Sequence, residues 1–221
     1  MKLKIIYFTR PTWYSKIAYH YLKTHFPATK LVSKNIRKND KFNNCDLIIA
    51  FGYQKIIPKK ILLKARYAIN FHPSTLNNPG AGSYSYPLYN KEYYHGVVCH
   101  EMSDKPDTGR ILKELKFKIQ KSDNFLSLRD KTLVLSLKLF YEIFDKIIKN
   151  KKLNFNFTKK KWKRKPRIFK DYQEDILTIK SKKDIKLKIK TINPYLPGPF
   201  SKTKKLNKHL ILEKRKYRYK Y

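Results

Sequence analysis

From Asp46 to Gly52 the chain reads Asp-Leu-Ile-Ile-Ala-Phe-Gly. A short apolar run bounded by a charge and a glycine is the pattern of a buried β-strand. Ile5 to Phe8, followed by Pro11, and Tyr67 to Pro73, terminated by proline, read the same way, and Lys30 to Ser33 is a further short candidate. Helical segments fall between them. Trp13 to Phe26 places Trp13, Ile17 and Tyr21 at helical spacing with Ala18 and Leu22 beside them, and Pro27 stops the helix. Pro58 to Lys64 reads as a short helix with proline in its first turn. Strands alternating with helices specify an α/β fold. The expected form is a Rossmann-like open twisted sheet with flanking helices, in which ligands bind beyond the carboxyl ends of the strands.

From Ser74 to Tyr94 the periodicity fails. The stretch holds Pro79, Gly80, Gly82 and Pro87 together with Tyr84, Tyr86, Tyr89 and Tyr93, and a long loop inside a compact domain is more often functional than not. Gly96 to Met102 and Arg110 to Ile119 resume as strands. Ser122 is the expected N-cap of the longest helix, which runs to about Lys149 with Phe125, Leu128, Leu135, Leu139, Ile143 and Ile147 as its buried stripe. A chain of 221 residues fits one domain. Composition divides it at Asn150: residues 1–150 form the expected main domain and residues 151–221 a short basic C-terminal extension. That extension holds 25 Lys and Arg against five acidic residues. Lys159 to Lys165 is a dense basic run around Trp162, Pro194 to Phe200 is turn-rich, and Leu210 to Leu212 is a short strand candidate before a basic aromatic tail.

Lys and Arg number 52 against 16 Asp and Glu, a formal net charge of +36. Such a balance brings a polyanion partner to mind first. The excess is mostly lysine, however, and Lys, Asn, Ile, Tyr and Phe share A/T-rich codons, so compositional bias on a solvated surface accounts for it equally well. Cys45 and Cys99 are the only cysteines, which excludes a disulfide framework and a cysteine-based zinc cluster. No metal is expected. The N-terminal apolar run is too short for a signal segment, and no stretch approaches the roughly 20 apolar residues of a membrane span. A cytoplasmic protein with no membrane partner is expected.

Asn70 and His72 stand two apart on a strand end, so their side chains share one side. An imidazole can accept a proton near pH 7, an amide can donate to a developing oxyanion, and Asp107, at the turn before the next strand, could orient the imidazole. Asn-x-His alone is a weak signal, but its company is specific. Asn70-Phe71-His72-Pro73-Ser74 is followed in order by Pro79-Gly80-Ala81-Gly82-Ser83-Tyr84, by Gly96-Val97-Val98-Cys99-His100-Glu101-Met102, and by Asp107-Thr108-Gly109. Over about 150 residues this resembles the formyltransferases that use 10-formyltetrahydrofolate. Lys163 to Lys170 and Tyr195 to Phe200 are a later echo of the same family.

The resemblance implies formyl transfer to an amine, with Asn70 and His72 as catalytic pair, Asp107 as catalytic aspartate and His72 as the base. It implies that Phe51, Ile56, Ile57 and Pro58 flank the pterin of the folate, with Asp104 nearby. Thr9, Arg10, Pro79, Gly80, Gly82 and Tyr84 fall where the acceptor substrate would bind. His100 is read as an ordinary strand residue, and His20, His25, His95 and His209 have no partner in any motif.

Three branches of that family make different demands. Formyltransferases acting on glycinamide ribonucleotide carry a Gly-Ser-Gly loop after the first strand to cradle a phosphate; here Phe8-Thr9-Arg10-Pro11-Thr12 holds no glycine. The methionyl-tRNA enzymes carry a further β-barrel domain, and only 21 residues follow Phe200. Asn77 to Tyr84 is similar to the loop of the sugar N-formyltransferases. The expectation is therefore a homodimeric enzyme acting on an amino sugar linked to a nucleotide diphosphate, with one or two cations such as Arg10 on the diphosphate. Nucleic-acid binding is expected to be weak and non-specific. A minimal tRNA formyltransferase, or a nucleic-acid-binding protein using Trp162 and Tyr217 to Tyr221 as stacking aromatics, are the alternatives.

Overall fold

A computed structural model describes residues 2–37, 40–192, 194 and 200–201. The turn at 195–199, the strand candidate at 210–212, His209 and the tail at 217–221 lie outside the described residues. Six strands form one sheet in the order β2-β1-β3-β4-β5-β6. They are β1 (Ile5–Thr9), β2 (Lys30–Val32), β3 (Cys45–Phe51), β4 (Ala65–His72), β5 (Tyr94–Glu101) and β6 (Ile111–Lys118). The first four are parallel, whereas β5 and β6 are antiparallel to their neighbours. This is the open α/β sheet expected from the sequence.

One face is covered by α1 (Trp13–His25) and α4 (Phe125–Asn150), which pack on Ile5, Tyr7, Leu47, Ile49, Phe51, Ile69, Phe71, Val97 and Cys99. The alternate residues Ile6, Phe8, Ile48, Ala50 and Ala68 bury the other face against Ile57 and the short α2 (Lys59–Leu62). Strands apolar on both faces are what such a sandwich requires. At the centre, Phe140 of α4 packs its ring against Phe51, Phe71 and Phe144 and is fully buried. Phe140→Ala should therefore cost about 3–5 kcal/mol by leaving a cavity that the sheet cannot close, measurable as a lowered urea midpoint at unchanged slope.

Two helix expectations need correcting. In α1 the buried residues are Ser15, Ala18 and Leu22, while Trp13 and Ile17 are 53% and 42% exposed. The cap sets this phase. Ser15 Oγ accepts from the Thr12 N–H at 3.0 Å, and its carbonyl accepts from the Tyr7 hydroxyl at 3.1 Å, so the small side chains face the sheet and let the helix approach it. In α4 the N-cap is Asn124, not Ser122: its Oδ1 accepts from Leu126 and Ser127 N–H at 2.9 and 3.1 Å, and Ser127 Oγ accepts from the Asn124 N–H. The stripe holds at Leu128, Leu139, Ile143 and Ile147, but it is completed by Phe140 and Phe144, with Leu135 only half-buried.

Beyond Asn150 the chain turns back over the sheet. Leu153 and Phe155 join the main core. The Thr158 N–H donates to the Ile111 carbonyl at 2.7 Å and the Lys163 N–H to that of Leu76 at 2.9 Å. A short α5 (Phe169–Tyr172), a π-helical turn at Gln173–Leu177, β7 (Thr178–Ile179) and α6 (Lys182–Thr191) follow, and β7 pairs with β8 (Phe200–Ser201). Tyr172, Ile176, Leu177 and Ile192 close a small second core with Tyr86 of α3 (Ser85–Tyr89).

Candidate active site

Asn70 and His72 sit at the carboxyl end of β4, on the face away from α1 and α4, since Ile69 and Phe71 between them belong to the core beneath those helices. The antiparallel register puts His100 of β5 directly opposite Asn70, next to an irregularity at Cys99–His100. Asp107 reaches both strands from the loop at 102–110. Its backbone is left-handed (φ 49°), a conformation that L-residues other than Asn and Asp rarely adopt. Ser103 and Thr108 hydroxyls fold this loop by bonding to the Lys105 carbonyl, each at 2.9 Å.

The Asp107 carboxylate is the hub. Its Oδ2 stands 3.1 Å from His72 Nδ1 and accepts from the Gly80 N–H at 2.9 Å. Its Oδ1 stands 3.2 Å from His100 Nε2 and 3.5 Å from Asn70 Nδ2. Asn70 Nδ2 lies 3.1 Å from His100 Nε2, and His100 Nδ1 bonds the Glu101 carbonyl at 2.7 Å. Asp107, His72 and His100 are 8%, 5% and 2% exposed. Burial works against the charge on Asp107, but the positive charge of His72, the bonds from His100 and the Gly80 N–H outweigh it and hold the carboxyl well below the usual carboxylate range.

The His72 ring is engaged on both sides. Its Nε2 lies 2.9 Å from the Asn78 carbonyl while Nδ1 faces Asp107. Both nitrogens thus meet oxygen atoms, and a proton on either one is donated to the oxygen that it faces. In this geometry the imidazole is a donor.

The loop after β4 is held from outside. Asn78 Nδ2 bonds both oxygens of Glu92 at 2.9 and 3.1 Å, and its Oδ1 accepts from the Arg167 guanidinium at 3.1 Å. Arg167 also lies over the Tyr86 ring, 3.8 Å from its centroid. The Arg167 N–H donates to the Pro79 carbonyl and its own carbonyl accepts from the Ala81 N–H. Gly80 is required there: its φ is 84°, and a Cβ would lie 2.2 Å from the Arg167 carbonyl oxygen.

Of the residues expected in the site, Asn70, His72, Asp107 and Gly80 come together in one network, and Pro79, next to Gly80, is buried. Ile57 is buried on the same sheet face with Ala50 and Ala68, Pro58 caps α2, and Ile56 is 70% exposed at the strand-end loop. Asp104 is exposed in the Asp107 loop. Met102, at the start of that loop, packs with the Ile57 cluster.

Other expected residues lie elsewhere. The Phe51 side chain is in the core beneath α1 and α4, on the opposite face from Asn70, so its ring does not flank the candidate ligand site. Thr9 is buried with its hydroxyl donating to the Phe51 carbonyl at 2.6 Å, which ties the ends of β1 and β3. Arg10 is exposed beside it. Gly82 (φ 83°) packs against Tyr86 and Tyr172. The Tyr84 ring meets His95 and Phe125, and burial pushes its phenol up. Asn78 and Arg167 carry no signal of their own in the sequence, while His100 and Trp162 stand at the network rather than serving as an ordinary strand residue and a stacking aromatic. Trp162 is turned inward, perpendicular to His72 and His100 with centroids 5.7 and 5.1 Å away, so it is not a free stacking platform. Among the described residues no group of three or more His, Cys, Asp or Glu side chains could hold a metal, and no helix is long and apolar enough to cross a membrane.

The profile of the formyl transferase family matches residues 14–143, more than half of the chain. The chain belongs to that family. Among curated relatives it is 36% identical over 149 residues to a methionyl-tRNA formyltransferase of Prochlorococcus marinus (strain MIT 9215), covering 63% of this chain and 44% of that one. It is 30% identical over 160 residues to the methionyl-tRNA formyltransferase of Wolbachia sp. subsp. Drosophila simulans (strain wRi), covering 71% and 54%. The chain thus spans about half the length of the curated relatives it matches. Among solved structures, a likely sugar N-formyltransferase from Mycobacterium tuberculosis superposes with a TM-score of 0.71 at 13% identity, over 92% of this chain and 93% of that one. An N-formyltransferase from Helicobacter canadensis, solved with folinic acid and dTDP-3-aminofucose, gives 0.66 at 17% identity over 86% and 80%. At these identities the likeness is one of fold.

Proposed function

We propose that this protein moves the formyl group of 10-formyltetrahydrofolate to the amine of a nucleotide-linked amino sugar. The observation that carries the proposal is the Asn70–His72–His100–Asp107 network at the carboxyl ends of the sheet. The folate supplies the formyl carbon already bonded to nitrogen, and the acceptor amine replaces that nitrogen. Asn70 supplies an amide donor for the oxygen that gains negative charge as the amine adds. His72, when it carries a proton on both nitrogens, supplies positive charge beside the same centre, and Asp107 carries the balancing charge. Once the imidazole has given its Nε2 proton to the departing nitrogen, it is free to take the proton that the amine sheds. Ile56, Ile57 and Asp104 would line the pterin side, and Arg10 would meet the diphosphate at the end of β1.

The sugar reading is supported by the loop from Asn77 to Tyr84 and by the likeness to sugar enzymes over nine-tenths of both chains. A methionyl-tRNA acceptor is the second reading, favoured by the 36% identity to methionyl-tRNA formyltransferases. The test is formylation of nucleotide-linked amino sugars against formylation of methionyl-tRNA at physiological salt, read by mass. Addition of one formyl group to a sugar nucleotide without RNA is the expected result. Faster reaction with the tRNA would overturn the sugar reading. Any retention on nucleic acid should fall steeply with added salt, as non-specific phosphate contacts do.

A further inference from the structure

The indole of Trp162 meets three parts of the site at once. Its Nε1–H donates to the Gly109 carbonyl at 3.0 Å, two residues beyond Asp107. Its ring stands at 79° to His72 and 82° to His100. It also packs on Leu76, Val98 and Ile111, which are buried on the same sheet face. The backbone on either side of it is fixed, by Thr158 bonding to Ile111 and Lys163 to Leu76. Around it the run is solvent-facing: Lys159, Lys161, Lys163, Arg164 and Lys165 are exposed, and Trp162 alone turns in.

The 107–109 turn is held at its ends by the Thr108–Lys105 bond and the Glu101–Arg110 backbone bond, and the indole adds a side-chain hold at Gly109. Asp107 is in a left-handed conformation, and Gly109 lies so close to β5 that a Cβ there would fall 1.9 Å from the Glu101 carbonyl oxygen. A carboxylate on such a turn keeps its distance to two imidazoles only if the turn is pinned. A charged pair also gains strength where water is kept away, and an aromatic ring beside a cationic ring favours the cation. The groups facing His72 are Asp107, the Asn78 carbonyl and Trp162, with His95 behind; those facing His100 are Asp107, Asn70, the Glu101 carbonyl and Trp162.

We infer that Trp162 is a positioning residue for the His72–Asp107–His100 network: it pins the 107–109 turn through Gly109 and closes the histidines off from water on that side. The inference rests on the reading of the network as the formyl-transfer site, and it assigns a task to the basic run that charge alone does not explain.

Two variants separate the contributions. Trp162→Phe keeps a ring but loses the donor, and should lower kcat about 10-fold, the weight of one lost hydrogen bond. Trp162→Ala removes both, and should lower kcat on the order of 10²-fold. KM for the folate should stay within about threefold in both, since neither change touches Ile56 or Ile57. The second measurement is exchange with water of the His72 and His100 ring N–H protons, followed by NMR in the substrate-free protein. It should speed up about 10-fold or more in Trp162→Ala as the site opens. Unchanged exchange in both variants overturns the inference whatever the activity does. In an active enzyme, a kcat that stays within twofold in Trp162→Ala overturns it as well. Should Trp162→Ala not fold, Trp162→Phe decides alone by the same two readings. A wild type that formylates neither acceptor would sink the catalytic reading, yet ring N–H exchange would still test Trp162.

Discussion

Replacing His72 by asparagine is expected to slow formyl transfer by about 10²–10⁴-fold while folate binding survives. In the proposed mechanism the ring gives a proton to the departing nitrogen and later takes one back, and an amide can do neither. Folate binding should persist because Ile57 packs in a separate cluster with Ala50 and Ala68. Asp107→Asn should cost a similar factor. The amide keeps the size of the side chain but removes the charge that faces His72 Nδ1 at 3.1 Å and His100 Nε2 at 3.2 Å. Steady-state rates with folate affinity measured separately check both variants. Near-full turnover in either one would remove the network from the chemistry.

Acid should unfold this protein sooner than its few carboxylates suggest, and His95 is the expected cause. The residue is fully buried in β5 between the rings of Tyr84 and Phe117, and neither ring nitrogen has a hydrogen-bond partner. Burial, with a smaller contribution from the charge of His72, holds its pKa down to about 3. The unfolded chain takes up the same proton near pH 6.5. Its contribution to stability is therefore full above pH ~6.5 and is lost as pH falls toward the folded value, at up to ~1.4 kcal/mol per pH unit. Asp107 acts in the same direction at lower pH. Its folded carboxyl is held below the ordinary range, so its stabilisation is present above about pH 4 and disappears beneath it. Urea midpoints measured from pH 7 to pH 4 should fall in the wild type and fall much less in His95→Phe. An equal slope in the two proteins would exonerate His95.

The scaffold is legible because β1 and the last five residues of β3 are apolar runs buried on both faces, so that no choice of face has to be made. Asn70, His72 and Asp107 were legible because their motifs are local and ordered. The misreadings share a different cause. In α1 the large residues Trp13 and Ile17 outweighed Ser15 and Ala18 in a periodicity count, although small side chains let the helix pack closely on the sheet. Phe51 stands at a strand end, but strand alternation turns its ring to the core. His100 could have been found only from the register that sets it across from Asn70. Trp162 and Arg167 meet partners 53 and 89 residues away in sequence, and no local pattern encodes a meeting at that range.

The backbone junction between Pro79–Ala81 and Arg167 has a consequence for the order in which this molecule comes together. The sheet can pair once β6 is available, but the segment that carries Trp162 and Arg167 is delivered only after α4 has followed. Contacts that span so much chain form late, because loop closure must be met before they contribute. During synthesis and during refolding the scaffold therefore precedes its chemistry. Asn78 cannot meet Arg167, nor Gly109 meet Trp162, until the returning segment docks. A stage is therefore expected in which the sheet has formed but Trp162 and Arg167 have not yet docked on the site. Recovery of activity should lag behind recovery of the far-ultraviolet circular dichroism signal.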